Sequence, residues 1–108
     1  MRPRLAGLAG AVAGAVLLAG CGQQAALDPA AERGRQVYLA QCTACHATDP
    51  GQRGPVGPPV KGSSRELLEA RVLRGGYPPG YTPKQNSRVM QPLPQLAGSI
   101  DDLAAYLR

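Results

Sequence analysis

The chain has 108 residues, 44% apolar and 18% charged, with 14 glycines, 11 prolines, four tyrosines and neither tryptophan nor phenylalanine. That length holds one small domain and no separate substrate domain, the apolar content excludes a disordered chain, and the Gly and Pro content predicts a fold rich in loops. The formal charge is +5, yet no basic stripe interleaved with aromatic residues is present, so nucleic acid is not an expected partner.

At the front, Arg2 and Arg4 precede an uncharged run of Leu, Ala, Val and Gly from Leu5 to Gly20. Its 16 residues fall short of the roughly 18–20 that cross a bilayer and suit the apolar region of a secretory signal. The run ends Leu18-Ala19-Gly20-Cys21, which resembles the lipobox of bacterial lipoproteins. The resemblance implies cleavage after Gly20 and a diacylglycerol on the Cys21 thiol, with acyl chains such as palmitate as the anchor. The expected divisions are a signal peptide over 1–20, a lipidated tether over 21–27 and a folded domain over 28–108. The expected location is the outer side of the cytoplasmic membrane or the periplasmic face of the outer membrane. An uncleaved anchor helix, or plain secretion with a stray cysteine, is the competing reading. Cleavage would take away Arg2 and Arg4 but no acid, so the formal charge falls from +5 to +3.

Asp28-Pro29 predicts a helix start, with an acid at the N-cap and proline at the first helical position. The helix is expected to run to about Gln41. Gly34 in its interior costs about 1 kcal/mol relative to alanine, so it needs a compensating reason.

With Cys21 acylated, two cysteines remain, in Cys42-Thr43-Ala44-Cys45, followed at once by His46. C-x-x-C-H is the attachment pattern of c-type haem. Two thiols three positions apart at a helix end can each add across one vinyl group of the same porphyrin, and the adjacent imidazole then reaches the iron. A haem would also fill the interior of a chain with so few large rings. Three other uses of the motif stand beside this one. A thioredoxin-like redox pair belongs to a βαβ pattern, and no strand-like alternation is present. A structural zinc site takes four ligands, and the chain has a single His. A simple disulfide suits an oxidising compartment but leaves the interior unexplained.

Gly34-x-x-x-Tyr38-x-x-x-Cys42, the C-x-x-C-H motif and Gly57-Pro58-Pro59-Val60-Lys61-Gly62 together resemble class I cytochromes c, over about Asp28 to Arg108. Val60 stands where the family more often has Leu. The resemblance implies an all-α class I cytochrome c fold, with three main helices and long Pro/Gly-rich loops around one covalently bound haem c. It implies thioether bonds at Cys42 and Cys45 and His46 as the proximal ligand of the haem iron. It also implies that the Pro58 carbonyl accepts the His46 Nδ1–H, which fixes the imidazole's orientation and raises its basicity.

A second helix is expected from Ser63 or Ser64, with Ser63-x-x-Glu66 as a capping box, Leu67, Leu68 and Val72 as apolar cover, and Gly75-Gly76 as its stop. Tyr77 to Gly98 then carries prolines at 78, 79, 83, 92 and 94 and is expected to be a structureless loop against one porphyrin face. Within it lies Val89-Met90-Gln91-Pro92, and Met90 is the one methionine of the mature chain. By the resemblance Met90 is the distal iron ligand, although Gln91 stands where proline more often follows the family's methionine. Lys61 or Lys84 is the substitute. Tyr77 and Tyr81 either pack on the ring or reach a propionate, or are surface residues.

Ser99-x-x-Asp102 predicts the last helix start, and Ile100, Leu103, Ala104 and Leu107 form its apolar stripe. The family's first and last helices cross with a small residue against an aromatic, and Gly34, Tyr38, Leu103 and Tyr106 are the matching positions. The expected function is single-electron transfer by a monomeric, non-enzymatic carrier between a redox donor and acceptor, such as an oxidase, a reductase or another cytochrome. Arg53, Lys61, Arg65, Arg71, Arg74, Lys84 and Arg88 are expected either to steer acidic partners or to be a solvated surface. A haem sensor or peroxidase-like protein with an open sixth position is one alternative. A non-haem lipoprotein with a disulfide is the other.

Overall fold

Asp28 has extended backbone, with φ −61° and ψ 160°, and its carboxylate accepts the Ala31 N–H at 2.8 Å. With Pro29 in the first turn this starts helix α1, Pro29–Gln41. The computed structural model describes Gly10, Gly14 and residues 26–108. The expected signal peptide, Cys21 and the tether up to residue 25 lie outside the described residues. In the first turn of α1, Arg35 donates to Glu32 at 2.9 and 2.7 Å, and this hydrogen bonding holds the Glu32 carboxyl down at about 2.

One face of α1 buries Ala31, Gly34 and Tyr38. It packs on helix α3, Ile100–Leu107, whose stripe buries Ile100, Leu103 and Leu107. The contact is close because position 34 has no side chain. A Cβ there would fall on the Asp102 carbonyl of α3 and crowd Tyr106. This close approach is what offsets the helix penalty of a mid-helix glycine. Tyr38 is 1% exposed, and its ring lies 5.6 Å from that of Tyr106 at a 52° tilt. Its hydroxyl donates to the Ala47 carbonyl at 2.6 Å, and burial pushes the phenol up to about 12. At the surface of the same interface, Arg33 and Asp102 form a two-pronged pair at 3.0 Å.

Helix α2, Arg65–Leu68, is capped by Ser64 rather than through a Ser63–Glu66 box. Ser64 has the extended backbone of an N-cap (φ −71°, ψ 159°), so its own hydroxyl reaches the Leu67 N–H at 3.1 Å. Ser63 turns the other way and donates to the Val60 carbonyl. After one turn the helix widens into a π turn, Glu69–Leu73, which periodicity did not anticipate. Gly75, at φ +70°, ends it.

The start of α3 also differs from expectation. A 3-10 turn, Pro94–Ser99, runs straight into it, so the end of the Tyr77–Gly98 segment is helical and not structureless. Ser99 is already in a right-handed turn (φ −109°, ψ −2°), its side chain makes no cap hydrogen bond, and Asp102 is engaged by Arg33 instead. The core is Tyr38, Leu68, Val72, Leu96, Ile100, Leu103 and Leu107, with Met90 and Leu93 packed against it. Among the described residues there is no strand, and no helix is long and apolar enough to cross a membrane.

Candidate functional site

Cys42 is the C-cap of α1, and its N–H bonds back to the Tyr38 carbonyl. The next turn stays tight: Cys45 and His46 N–H groups both return to the Cys42 carbonyl, at 3.2 and 2.9 Å. The Tyr38–Ala47 hydrogen bond ties the far side of this turn to the helix. The motif is therefore a hydrogen-bonded turn on a helix end, which brings its three side chains close together.

The His46 Nδ1 lies 2.9 Å from the Pro58 carbonyl. A carbonyl can only accept, so Nδ1 carries the hydrogen and the lone pair is on Nε2. The loop around Pro58 is held by Val56 and Gly57 N–H groups, which both donate to the Cys45 carbonyl at 3.1 and 2.8 Å. Gly57 is needed there, because a Cβ at that position would fall on the imidazole ring.

Cys42, Cys45 and His46 share one wall of a cleft of about 360 Å³ with Pro58, and Met90 lines the same cleft from the long loop. Its floor is apolar, built by Leu68, Val72, Leu103 and Leu107 of the core. Tyr77 and Tyr81 also line it, their rings stacked 5.4 Å apart and 10° from parallel, with the Arg71 guanidinium 4.7 Å from the Tyr77 centroid. Arg71 donates to the Gly75 and Ser87 carbonyls. Lys84 lines the cleft with its Nζ on the Pro59 carbonyl at 2.7 Å; Lys61 is not among the lining residues. Gln85 donates to the Val56 carbonyl at 3.0 Å, and its Oε1 is buried without a partner.

The two sulfurs are not bonded to each other. Burial pushes the Cys42 thiol up to about 11, the reverse of the lowered value a dithiol redox pair uses for attack. Among the described residues no three His, Cys, Asp or Glu side chains converge to hold a metal ion, so the geometry offers no zinc site. An apolar cleft with two thiols, one oriented imidazole and a thioether on its walls fits a porphyrin.

The cytochrome c family model matches residues 31–108. The chain belongs to the cytochrome c family. Neither a curated protein nor a solved structure matches it. Membership gives a covalently bound haem c, and with the three-helix architecture it makes the fold that of a class I cytochrome c. The cytochrome's role is electron transfer.

Sequence reasoning treated Arg71 as a member of a basic middle, gave Lys84 that role and that of a substitute ligand, and passed over Gln85; all three line the haem cleft. Arg71 had a signal, since it lies three residues after Leu68 and four after Leu67, on the helix face that reaches the cleft. Gln85 had none. The seven basic residues do not make one open rim, because Arg65 is paired with Asp101 and Glu69, and Arg74 with Glu69.

Proposed function

We propose that this cytochrome is a lipid-anchored, exported, monohaem carrier of single electrons, with thioether bonds at Cys42 and Cys45 and axial iron ligation by His46 and Met90. The observation that carries the ligand set is the shared cleft: the two thiols, the imidazole and the thioether line one apolar cavity of about 360 Å³. When bound, the haem supplies an iron centre that gains and loses one electron.

The chain's residues do the rest. Pro58 fixes the His46 tautomer through the 2.9 Å hydrogen bond, which leaves Nε2 for iron and strengthens it as a base. Met90 contributes a neutral, soft sulfur, which favours the ferrous state and raises the potential relative to a second imidazole. Leu68, Val72, Leu103 and Leu107 exclude water from the apolar floor. Val56 and Val89, exposed at 42% and 62%, flank the same cleft and give a redox partner an apolar surface near the haem. The chain has one histidine, and its commitment to iron leaves no other imidazole for proton transfer.

Haem staining of a denaturing gel tests the covalent attachment, because only thioether-linked haem survives denaturation; an unstained band would reject it. The ferric spectrum of the native protein and of Met90→Ala tests the distal ligand. The weak far-red band of methionine-bound haem is expected in the first and absent in the second. The variant keeps its haem, and its potential falls by a fraction of the roughly 0.8 V over which axial ligands set haem potentials. A high-spin native spectrum, or an unchanged potential in the variant, overturns Met90 as ligand. The anchor rests on Leu18-Ala19-Gly20-Cys21. Mass spectrometry of the membrane-extracted holoprotein is expected to show a chain that starts at Cys21 and carries acyl mass there; a chain that keeps residues 1–20, or one without acyl mass, would reject the lipid at that position.

A further inference from the structure

Met90 sits in a segment with little regular structure, so something else has to set the position of its sulfur. The ties that join its neighbours to another element come from the π turn after α2: Arg71 donates to the Ser87 carbonyl at 3.4 Å, three residues before Met90, and Val72 makes a tie three residues after it. In a continuing α-helix the Val72 carbonyl would accept the Gly76 N–H. Here the π turn Glu69–Leu73 and the left-handed Gly75 send the Gly76 N–H back to Ala70 at 3.0 Å. The Val72 carbonyl is thereby freed from its own helix, and it accepts the Leu93 N–H at 2.6 Å. Leu93 is three residues after Met90. One residue earlier, Pro92 lies against Gly75, where an added Cβ would meet the proline Cγ at 3.1 Å. Val72 is buried, and Met90 and Leu93 both pack on the same core.

We propose that Val72–Gly75, where the π turn after α2 ends, is a positioning element for Met90, acting through the Leu93 hydrogen bond and the Pro92 contact. The inference rests on the reading of Met90 as the distal iron ligand. It assigns a purpose to where the helical segment stops. With the chain turned aside at Gly75, the Val72 carbonyl is among the last of the segment, which lack partners within it, and Leu93 takes it.

A pair of glycines separates positioning from plain stability. Gly62 (φ +84°) and Gly75 (φ +70°) impose similar backbone strain on alanine, but a Cβ at Gly62 meets nothing within 4 Å. In the haem-loaded full chain, Gly62→Ala and Gly75→Ala are both expected to lower the unfolding midpoint. Only Gly75→Ala is expected to weaken the far-red methionine band and lower the reduction potential. Adding Pro92→Ala to Gly75→Ala removes the crowded ring and restores the band. Amide exchange at Leu93 is expected to rise roughly tenfold in Gly75→Ala and to stay unchanged in Gly62→Ala. If both alanine variants keep the native band and potential, the positioning role is overturned. A native protein without a methionine band rejects the ligand reading instead. In that case Leu93 exchange alone decides the joint: faster only in Gly75→Ala supports it, and equal rates in the two variants overturn it.

Discussion

A side chain at position 34 would have to share space with the main chain of Asp102, which cannot move without shifting α3. Gly34→Ala improves helix propensity by about 1 kcal/mol, yet overpacking a rigid contact costs roughly 1–3 kcal/mol. The expected outcome is a net loss of stability in thermal denaturation of the holoprotein, and an unchanged or raised midpoint would refute the close contact. Tyr38, nearby, gives a pH signature. The phenol is held at about 12 against an ordinary value of 10.0, chiefly by burial, with its proton on the Ala47 carbonyl. Below pH 10 it is protonated in both folded and unfolded chains and stability is flat. Above that, the unfolded chain releases the proton first, so stability is lost between about 10 and about 12. Denaturant midpoints measured across that window are expected to fall in the native protein and to fall less in Tyr38→Phe.

At the scale of elements, the two serine-started helices behave differently under the same substitution. Ser64 carries a real cap, so Ser64→Ala is expected to cost about 0.5–2 kcal/mol, whereas Ser99→Ala, whose hydroxyl caps nothing, is expected to be near neutral. Equal losses at the two sites in urea unfolding would contradict the assignment. Both starts show the same capping pattern in sequence, and only the backbone tells them apart. The α1 boundaries and the α3 stripe were legible because each depends on residues close in sequence or on a spacing of three and four. The C-x-x-C-H loop was legible for the same reason. The Gly34 notch, a contact with Asp102 far along the chain, was legible only through the family resemblance. The π turn and the 3-10 entry to α3 were not, since no local spacing marks them; the bond of Leu93 to Val72 and the burial of Leu96 join residues far apart in sequence. The cleft position of Gln85 was equally out of reach, because it is set by a bond to a carbonyl more than twenty residues away.

For the molecule as a whole, the core and the cleft are not separate: Leu68, Val72, Leu103 and Leu107 belong to both. Without haem these four core residues face an open cleft and water instead of a porphyrin, a loss of apolar burial that a domain this small cannot spare. Cys42→Ala/Cys45→Ala protein that lacks haem is therefore expected to show no cooperative thermal transition and a much reduced helical circular dichroism signal. A sharp calorimetric peak in that variant would show that the polypeptide holds itself together. The α1–α3 contact carries a further consequence for the order of events during maturation. Cys42 caps a helix whose main packing surface is residues 100–107. Until that surface docks, Tyr38 has no Leu103 or Tyr106 to lie against, and the two thiols stand on an open turn. A maturation apparatus that joins sulfur to porphyrin thus has its widest access before α3 closes on α1, and that docking ends the interval.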